Sequence, residues 1–168
     1  MERNNVWSSY KRDQLTELDR INTMYKSCLD EGKTERECVK IAVRMAEEKG
    51  YRDIKGLIKD QTEVKHGDKV YAVCMNKSIS LFNIGEEPLE RGMNILGAHI
   101  DSPRIDVKQN PLYESEEFAY LDTHYYGGIK KYQWVTLPLA IHGVVAKKNG
   151  EIKEICIGEK DDDPVFAV

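Results

Sequence analysis

The sequence contains no apolar run close to the roughly 20 residues that a helix needs to cross a bilayer. Its first residues, Met-Glu-Arg-Asn-Asn, lack the order of basic then apolar residues found in signal peptides. The 25 lysines and arginines do not outnumber the 29 aspartates and glutamates, and the net charge of −4 argues against a protein that binds nucleic acid. We therefore expect a soluble, cytoplasmic protein with neither nucleic-acid nor membrane partners.

Cysteine is scarce and scattered. The four cysteines form no C-x-x-C pair, which argues against a zinc knuckle and against a redox motif; they are Cys28, Cys38, Cys74 and Cys156. We expect reduced thiols in the core. The sequence also lacks a G-x-S-x-G motif, so Ser102 does not indicate a serine hydrolase although it lies close to His99.

The length of 168 residues suits one domain, or a large piece of one, rather than two independent units. Residues 1–50 have helical periodicity, with apolar residues three and four apart in two runs separated at Gly32. The second run begins with a capping box, in which Thr34 and Glu37 satisfy each other's backbone N–H groups. Gly50 is expected to follow this helix in a left-handed conformation.

The remaining sequence has mainly strand patterns. Residues 70–84 predict a hairpin, and residues 93–100 are almost wholly apolar, as in a strand buried on both faces. Further strands are expected at 104–108, near 118–120, across 134–145 and at 151–158, the last two joined by a turn at 147–150. Two helices followed by many strands predict an α/β fold, with a mixed sheet layered by helices.

A histidine and an aspartate stand near the end of the apolar run. His99 and Asp101 would lie on one face of a strand, and Pro103 would end that strand at the carboxyl edge of the sheet. Open α/β sheets place their sites at that edge, where an imidazole can bind a metal while a carboxylate orients the ring. An H-x-D triplet also occurs by chance, so a structural His99, with Asp101 capping the turn, stays an alternative.

Other chemically active residues have simpler interpretations. We expect His124 in a loop, with a role at the same site or at an adjacent subunit as the alternative. His142 is expected to be a hydrogen-bonded core residue and His66 an exposed turn residue. The acidic residues 161–163 lack the glycine and terminal glutamate of a calcium loop, which favours a solvated turn.

Two motifs support a sharper hypothesis. Residues 94–108 read Asn-Ile-Leu-Gly-Ala-His-Ile-Asp-Ser-Pro-Arg-Ile-Asp-Val-Lys, and residues 125–128 read Tyr-Tyr-Gly-Gly. Together they resemble the M18 family of metalloaminopeptidases, the aspartyl aminopeptidase and aminopeptidase I group. The resemblance extends from the N-terminal helices through residues 163–166. Residues 130–134 depart from the family's eukaryotic branch, which suggests a bacterial-type branch and leaves the substrate contacts of this loop open.

The resemblance implies a zinc-peptidase-like catalytic domain. It makes His99 a metal ligand, Asp101 the catalytic aspartate that supports it, and 126–128 a loop close to the active site. It also implies zinc as the cofactor, with two divalent metals in the complete enzyme and cobalt as an alternative, together with peptide substrates and a homo-oligomer.

The family's other metal ligands and its general base have no counterparts in this sequence. A catalytic zinc needs three protein ligands, so residues 1–168 are expected to be the N-terminal portion of the catalytic domain, ending near the start of the family's inserted dimerisation domain. Such a chain is expected to be inactive alone. Two functions stay open: an aminopeptidase that uses a metal-activated water, with this chain as its N-terminal part, or a non-catalytic assembly or interaction module derived from that fold.

Overall fold

A computed structural model describes residues 5–168 and shows two structural units, Met1–Ile100 and Asp101–Val168. Each named strand pairs with a strand of its own unit. The expectation that the chain is one domain, or a large piece of one, stays a prediction. None of the helices within residues 5–168 has the length and apolar character needed to cross a bilayer.

The two predicted helices of the first unit are confirmed. After a 3₁₀ turn at Val6–Ser9, α1 spans Arg12–Glu31 and ends at Gly32, and α2 spans Glu35–Glu48. The capping box is also present: the backbone N–H of Glu37 donates to Thr34 Oγ1 over 3.3 Å, and the N–H of Thr34 donates to Glu37 Oε2 over 2.8 Å. Gly50 has φ of 82°, the left-handed conformation predicted for it.

The predicted hairpin of the first unit is confirmed as well. Strand β1, Arg52–Asp53, leads into helix α3, Ile54–Lys59, and pairs in parallel with β2, Lys69–Cys74. Strand β3, Ser78–Asn83, pairs antiparallel with β2 to complete a three-stranded sheet. A short 3₁₀ turn at Leu89–Arg91 follows the sheet.

The buried core of the first unit is formed by side chains of α2, α3 and β2. Its buried apolar side chains are Val39, Ile41, Ala46, Leu57, Val70 and Tyr71. The Tyr71 hydroxyl donates a hydrogen bond to Glu47 Oε1 over 2.8 Å. Burial, together with this carboxylate, raises the pKa of Tyr71 to about 12. The polar end of an otherwise buried aromatic side chain is thus paired, as the core requires.

The apolar run at residues 93–100 differs from its prediction. Residues 92–103 form neither helix nor strand, and Ile95 and Leu96 are 80% and 100% exposed. A strand buried on both faces needs a sheet around it and other elements that cover those faces. No strand in the described part of the chain pairs with this run. The apolar composition is typical of a buried strand, but composition alone does not provide the elements that would bury it.

The second unit consists mainly of two antiparallel hairpins. Strand β4, Arg104–Ser115, pairs with β5, Phe118–Tyr126, and β6, Ile141–Ala146, pairs with β7, Ile152–Ile157. The expected strands at 104–108 and 118–120 lie within β4 and β5, and the one expected at 151–158 corresponds to β7.

The strand expected across 134–145 is partly wrong. A helical turn, α4, occupies Lys131–Trp134, and β6 begins only at Ile141. Pro138 stands between them and has no N–H to donate to a strand ladder. The α/β class itself is confirmed, since helices and sheets are both present.

Gly32 offers a test of the turn between the first two helices. A methyl group there would lie 2.9 Å from the Cys28 carbonyl oxygen and 2.9 Å from Cys38 Sγ. We expect Gly32→Ala to lower the free energy of unfolding by about 1–3 kcal/mol, because a backbone atom must move to admit the methyl. Urea denaturation measures this change.

The matched control is Gly56→Ala in α3, where a methyl would meet nothing within 4 Å. Replacing a helical glycine by alanine should stabilise the protein by about 0.5–1 kcal/mol. Equal effects of the two substitutions would contradict the assignment of Gly32 to a closely packed turn.

Candidate active site

The two predicted site residues are close in sequence but belong to different structural units. His99 belongs to the extended segment 92–103 at the end of the first unit, and its side chain is exposed. Asp101 is the first residue of the second unit and is half-buried. The expectation that both share one face of a strand rested on a strand that this segment does not form.

Asp101 is held by the last residue of β5, in the β4–β5 hairpin. Tyr126, the last residue of β5, donates its hydroxyl hydrogen to Asp101 Oδ2 over 3.0 Å. Gly127 follows with φ of 74°, and a methyl placed on it would lie 3.5 Å from Pro103 Cα, Cβ and Cγ. Within the second unit, the beginning of β4 and the end of β5 therefore converge, and they carry parts of both sequence motifs.

Arg104 contacts both the Tyr126 ring and a carboxylate of β4. It is the cross-strand partner of Tyr126, and its guanidinium carbon lies 4.2 Å from the centroid of the Tyr126 ring. Its Nε donates to Asp106 Oδ1 over 2.7 Å. A planar guanidinium stacks well on an aromatic face while it pairs with a carboxylate.

The same face of the hairpin continues as a row of charged and polar groups. His124 pairs across the strands with Asp106, and its Nε2 lies 3.9 Å from Asp106 Oδ2. Further along, Lys108 Nζ lies 3.1 Å from an oxygen of Asp122. The expectation that His124 lies in a loop is wrong, because β5 extends through Tyr126.

Sequence reasoning missed the contributions of Arg104 and of the Tyr126 hydroxyl. A signal for Arg104 was present in the sequence. Arg104, Asp106 and Lys108 occupy every second position, which predicts that one face of β4 is charged. The contact between Tyr126 and Asp101 had no local signal, since 25 residues separate them.

The remaining candidate histidines have structural roles. The His142 side chain is 12% exposed, and its Nε2 lies 3.0 Å from Glu159 Oε1, which confirms the predicted hydrogen bond. The expected burial in a core is wrong, because the residue is only half-buried. His66 lies in an exposed turn, as expected, with its Nδ1 against the carbonyl oxygen of Gly85.

The acidic run ends in a capped turn. Asp163 Oδ2 accepts hydrogen bonds from the backbone N–H groups of Gly158, over 2.8 Å, and Lys160, over 3.2 Å. These donors, with Gly158 first, hold the pKa of Asp163 below its ordinary value. The turn interpretation of residues 161–163 is consistent with this geometry.

The chemical type of the available side chains suits zinc, but they are too few to form a catalytic zinc site. An imidazole such as that of His99 is a usual zinc ligand, and the Asp101 carboxylate is already anchored by Tyr126. Within residues 5–168, no group of three or more histidine, cysteine, aspartate and glutamate side chains is placed to hold a metal. His99 can therefore supply one ligand of the three that a catalytic zinc needs.

Comparison with known proteins identifies the family to which the chain belongs. Residues 28–168 match the family described as aminopeptidase I zinc metalloprotease (M18). A probable M18 family aminopeptidase 1 of Clostridium acetobutylicum is 55% identical over 164 residues, which are 98% of this chain and 35% of the relative. The chain therefore belongs to the M18 family, and the resemblance seen in its sequence motifs is confirmed.

Solved structures support the fold. The crystal structure of aminopeptidase I from Borrelia burgdorferi B31 matches 98% of this chain with a TM-score of 0.88 and 39% identity. The chain covers 40% of that structure. The mApe1 dodecamer of S. cerevisiae shares the fold at 21% identity, with a TM-score of 0.69 over 86% of this chain and 34% of that one. The chain thus spans little more than a third of the proteins it matches.

Asp163 provides a pH-dependent test of the capped turn. We expect Asp163→Ala to lower the melting temperature by a few degrees at neutral pH, because two backbone N–H groups lose their acceptor. Since the folded-state pKa is lowered, the stabilisation is present above the ordinary carboxyl pKa of about 4 and is lost as the pH falls through the folded value.

Asp162→Ala is the control, because the neighbouring aspartate is exposed and lies in the same turn. It should leave the melting temperature close to that of the unmodified protein at every pH. A difference between the two variants that persists unchanged at pH 2 would contradict the ionised cap.

Proposed function

We propose that this chain is the N-terminal part of an M18 metalloaminopeptidase, which hydrolyses the first peptide bond of peptides. The observation that carries the proposal is the family match over residues 28–168, which includes an intact Gly-Ala-His-Ile-Asp-Ser-Pro motif at 97–103. The anchoring of Asp101 by Tyr126 adds support, because a carboxylate that orients a metal ligand must itself be held.

His99 is the proposed metal ligand and Asp101 the carboxylate that orients its ring. Zinc, when bound, lowers the pKa of a water molecule and polarises the scissile carbonyl. Two divalent metals, with cobalt as an alternative to zinc, belong to the same proposal. The role of Asp101 is to keep the imidazole of His99 in one orientation and tautomer, and so to raise its basicity as a ligand.

The other ligands and the general base would come from the rest of the enzyme. Residues 1–168 are proposed as the N-terminal portion of its catalytic domain, ending near the start of an inserted dimerisation domain. The relatives' much greater length supports this assignment, since the chain covers only 35% of the Clostridium relative.

Self-association of the complete enzyme is the next part of the proposal. In the second unit no side chain among residues 101–168 is buried, and large apolar side chains such as Leu112 and Phe118 are exposed. A surface of this kind suits an interface. A cytoplasmic location is proposed with it, because the four cysteines carry free thiols, which suits a reducing compartment.

The test is His99→Ala in the full-length enzyme, with bound zinc, peptide hydrolysis and melting temperature measured on the same preparations. Loss of a ligand should lower turnover by at least about 100-fold and lower zinc affinity, because the coordination sphere opens. His66→Ala is the control, since it removes an exposed imidazole of the same unit.

Unchanged zinc affinity and turnover in a folded His99→Ala enzyme would rule out the ligand assignment. A full-length protein that neither binds zinc nor releases N-terminal residues would instead favour the non-catalytic module. The 168-residue chain alone is expected to show no turnover, because it holds one of the three ligands.

A further inference from the structure

We propose that Tyr126 is a positioning residue of the active site, whose hydroxyl holds the Asp101 carboxylate and whose ring is clamped by Arg104. This inference rests on the proposed function, because that function gives Asp101 its task. It adds two residues to the site that act through Asp101 and do not themselves touch metal or substrate.

The hydrogen bond between Tyr126 and Asp101 restrains the carboxylate. The Tyr126 hydroxyl donates to Asp101 Oδ2 over 3.0 Å. A hydroxyl that donates to an ionised carboxylate makes a charge-assisted bond, which is stronger and more directional than a neutral one. It restrains rotation of the carboxylate about its terminal bond.

Arg104 keeps the Tyr126 ring in place. Its side chain is 41% exposed, so packing alone does not fix the ring. Arg104 lies over the ring face at 4.2 Å and is itself tied to Asp106 through Nε. Because Arg104 and Tyr126 are direct cross-strand partners, the β4–β5 ladder sets the distance between guanidinium and ring.

The backbone around Tyr126 and Asp101 also brings the two residues together. Gly127 has φ of 74° and approaches Pro103 closely enough that an added methyl would be in van der Waals contact with it. Pro103 follows Asp101 by two residues, and Gly127 follows Tyr126 directly. Because the ladder also pairs Arg104 with Tyr126 and Ile105 with Tyr125, the main chains that carry the donor and the acceptor are held together independently of the hydrogen bond. The hydroxyl therefore needs little reorganisation to reach the carboxylate.

These contacts indicate orientation rather than stability as the main effect of the hydroxyl. A partly exposed hydrogen bond contributes little net free energy of folding, because water replaces it in the unfolded chain. A freely rotating carboxylate, by contrast, would loosen the ligand that it orients, and groups of this kind affect metal affinity and turnover.

The experiment compares Tyr126→Phe with Tyr125→Phe in the full-length enzyme. Tyr126→Phe removes only the hydroxyl and keeps the ring under Arg104. Tyr125→Phe is the matched control, since Tyr125 is adjacent, exposed and on the opposite face of β5. Zinc affinity is measured by competition with a chelator, beside kcat, KM and melting temperature.

We expect Tyr126→Phe to lower zinc affinity and kcat by about 3–10-fold, the range that one hydrogen bond supports, with KM and melting temperature unchanged. Tyr125→Phe should match the unmodified enzyme in every measurement. Equal values for the two variants, or a fall in melting temperature alone, would overturn the positioning role.

A double-substitution cycle separates positioning from a general effect. In an Asp101→Asn background, Tyr126→Phe should change zinc affinity and kcat by less than about twofold, because the interaction is already altered. A full additive effect would contradict action through Asp101. If His99→Ala leaves zinc affinity and turnover unchanged, the proposed function fails; if His99→Ala abolishes them while Tyr126→Phe equals its control, only this inference fails.

Discussion

The pairing of β4 with β5 is the constraint on which the candidate site depends. It joins the start of β4 to the end of β5, although the two lie far apart in the sequence. This pairing places Arg104 opposite Tyr126, so that the guanidinium stacks on the tyrosine ring, and it brings the Tyr126 hydroxyl to the Asp101 carboxylate. Gly127 follows β5 directly. The positive φ of Gly127 explains the glycine, since other residues adopt that conformation at a cost.

The first unit depends on a different interaction, the burial of one face of α2. Val39, Ile41 and Ala46 are buried, α2 packs against β2 and β3, and the Tyr71 hydroxyl is satisfied by Glu47. The apolar stripe of α1, in contrast, stays largely exposed, as at Tyr25 and Leu29. Helical periodicity thus identified both helices correctly, while packing decided which stripe became core.

Exposed apolar surface connects the fold to the proposed function. The run at 93–100, which carries His99, has the composition of an interior strand and the exposure of a surface segment. The second unit likewise pairs its strands without burying a side chain. Both features are consistent with the proposal that the chain is part of a longer enzyme, since it covers 35% of the Clostridium relative and 40% of the Borrelia structure.

The sequence by itself determined the features that short-range physics controls. The capping box of Thr34 and Glu37, the left-handed Gly50 and the hairpin at 70–84 were all predictable, because each depends on residues within a few positions. The motif containing His99 and Asp101 was recognisable because it is contiguous. Tertiary structure alone decided that 93–100 is not paired, that His124 lies in a strand, and that the Tyr126 hydroxyl meets Asp101 while Arg104 lies over the Tyr126 ring. Those outcomes depend on which distant segments meet, and local propensity carries no information about such contacts.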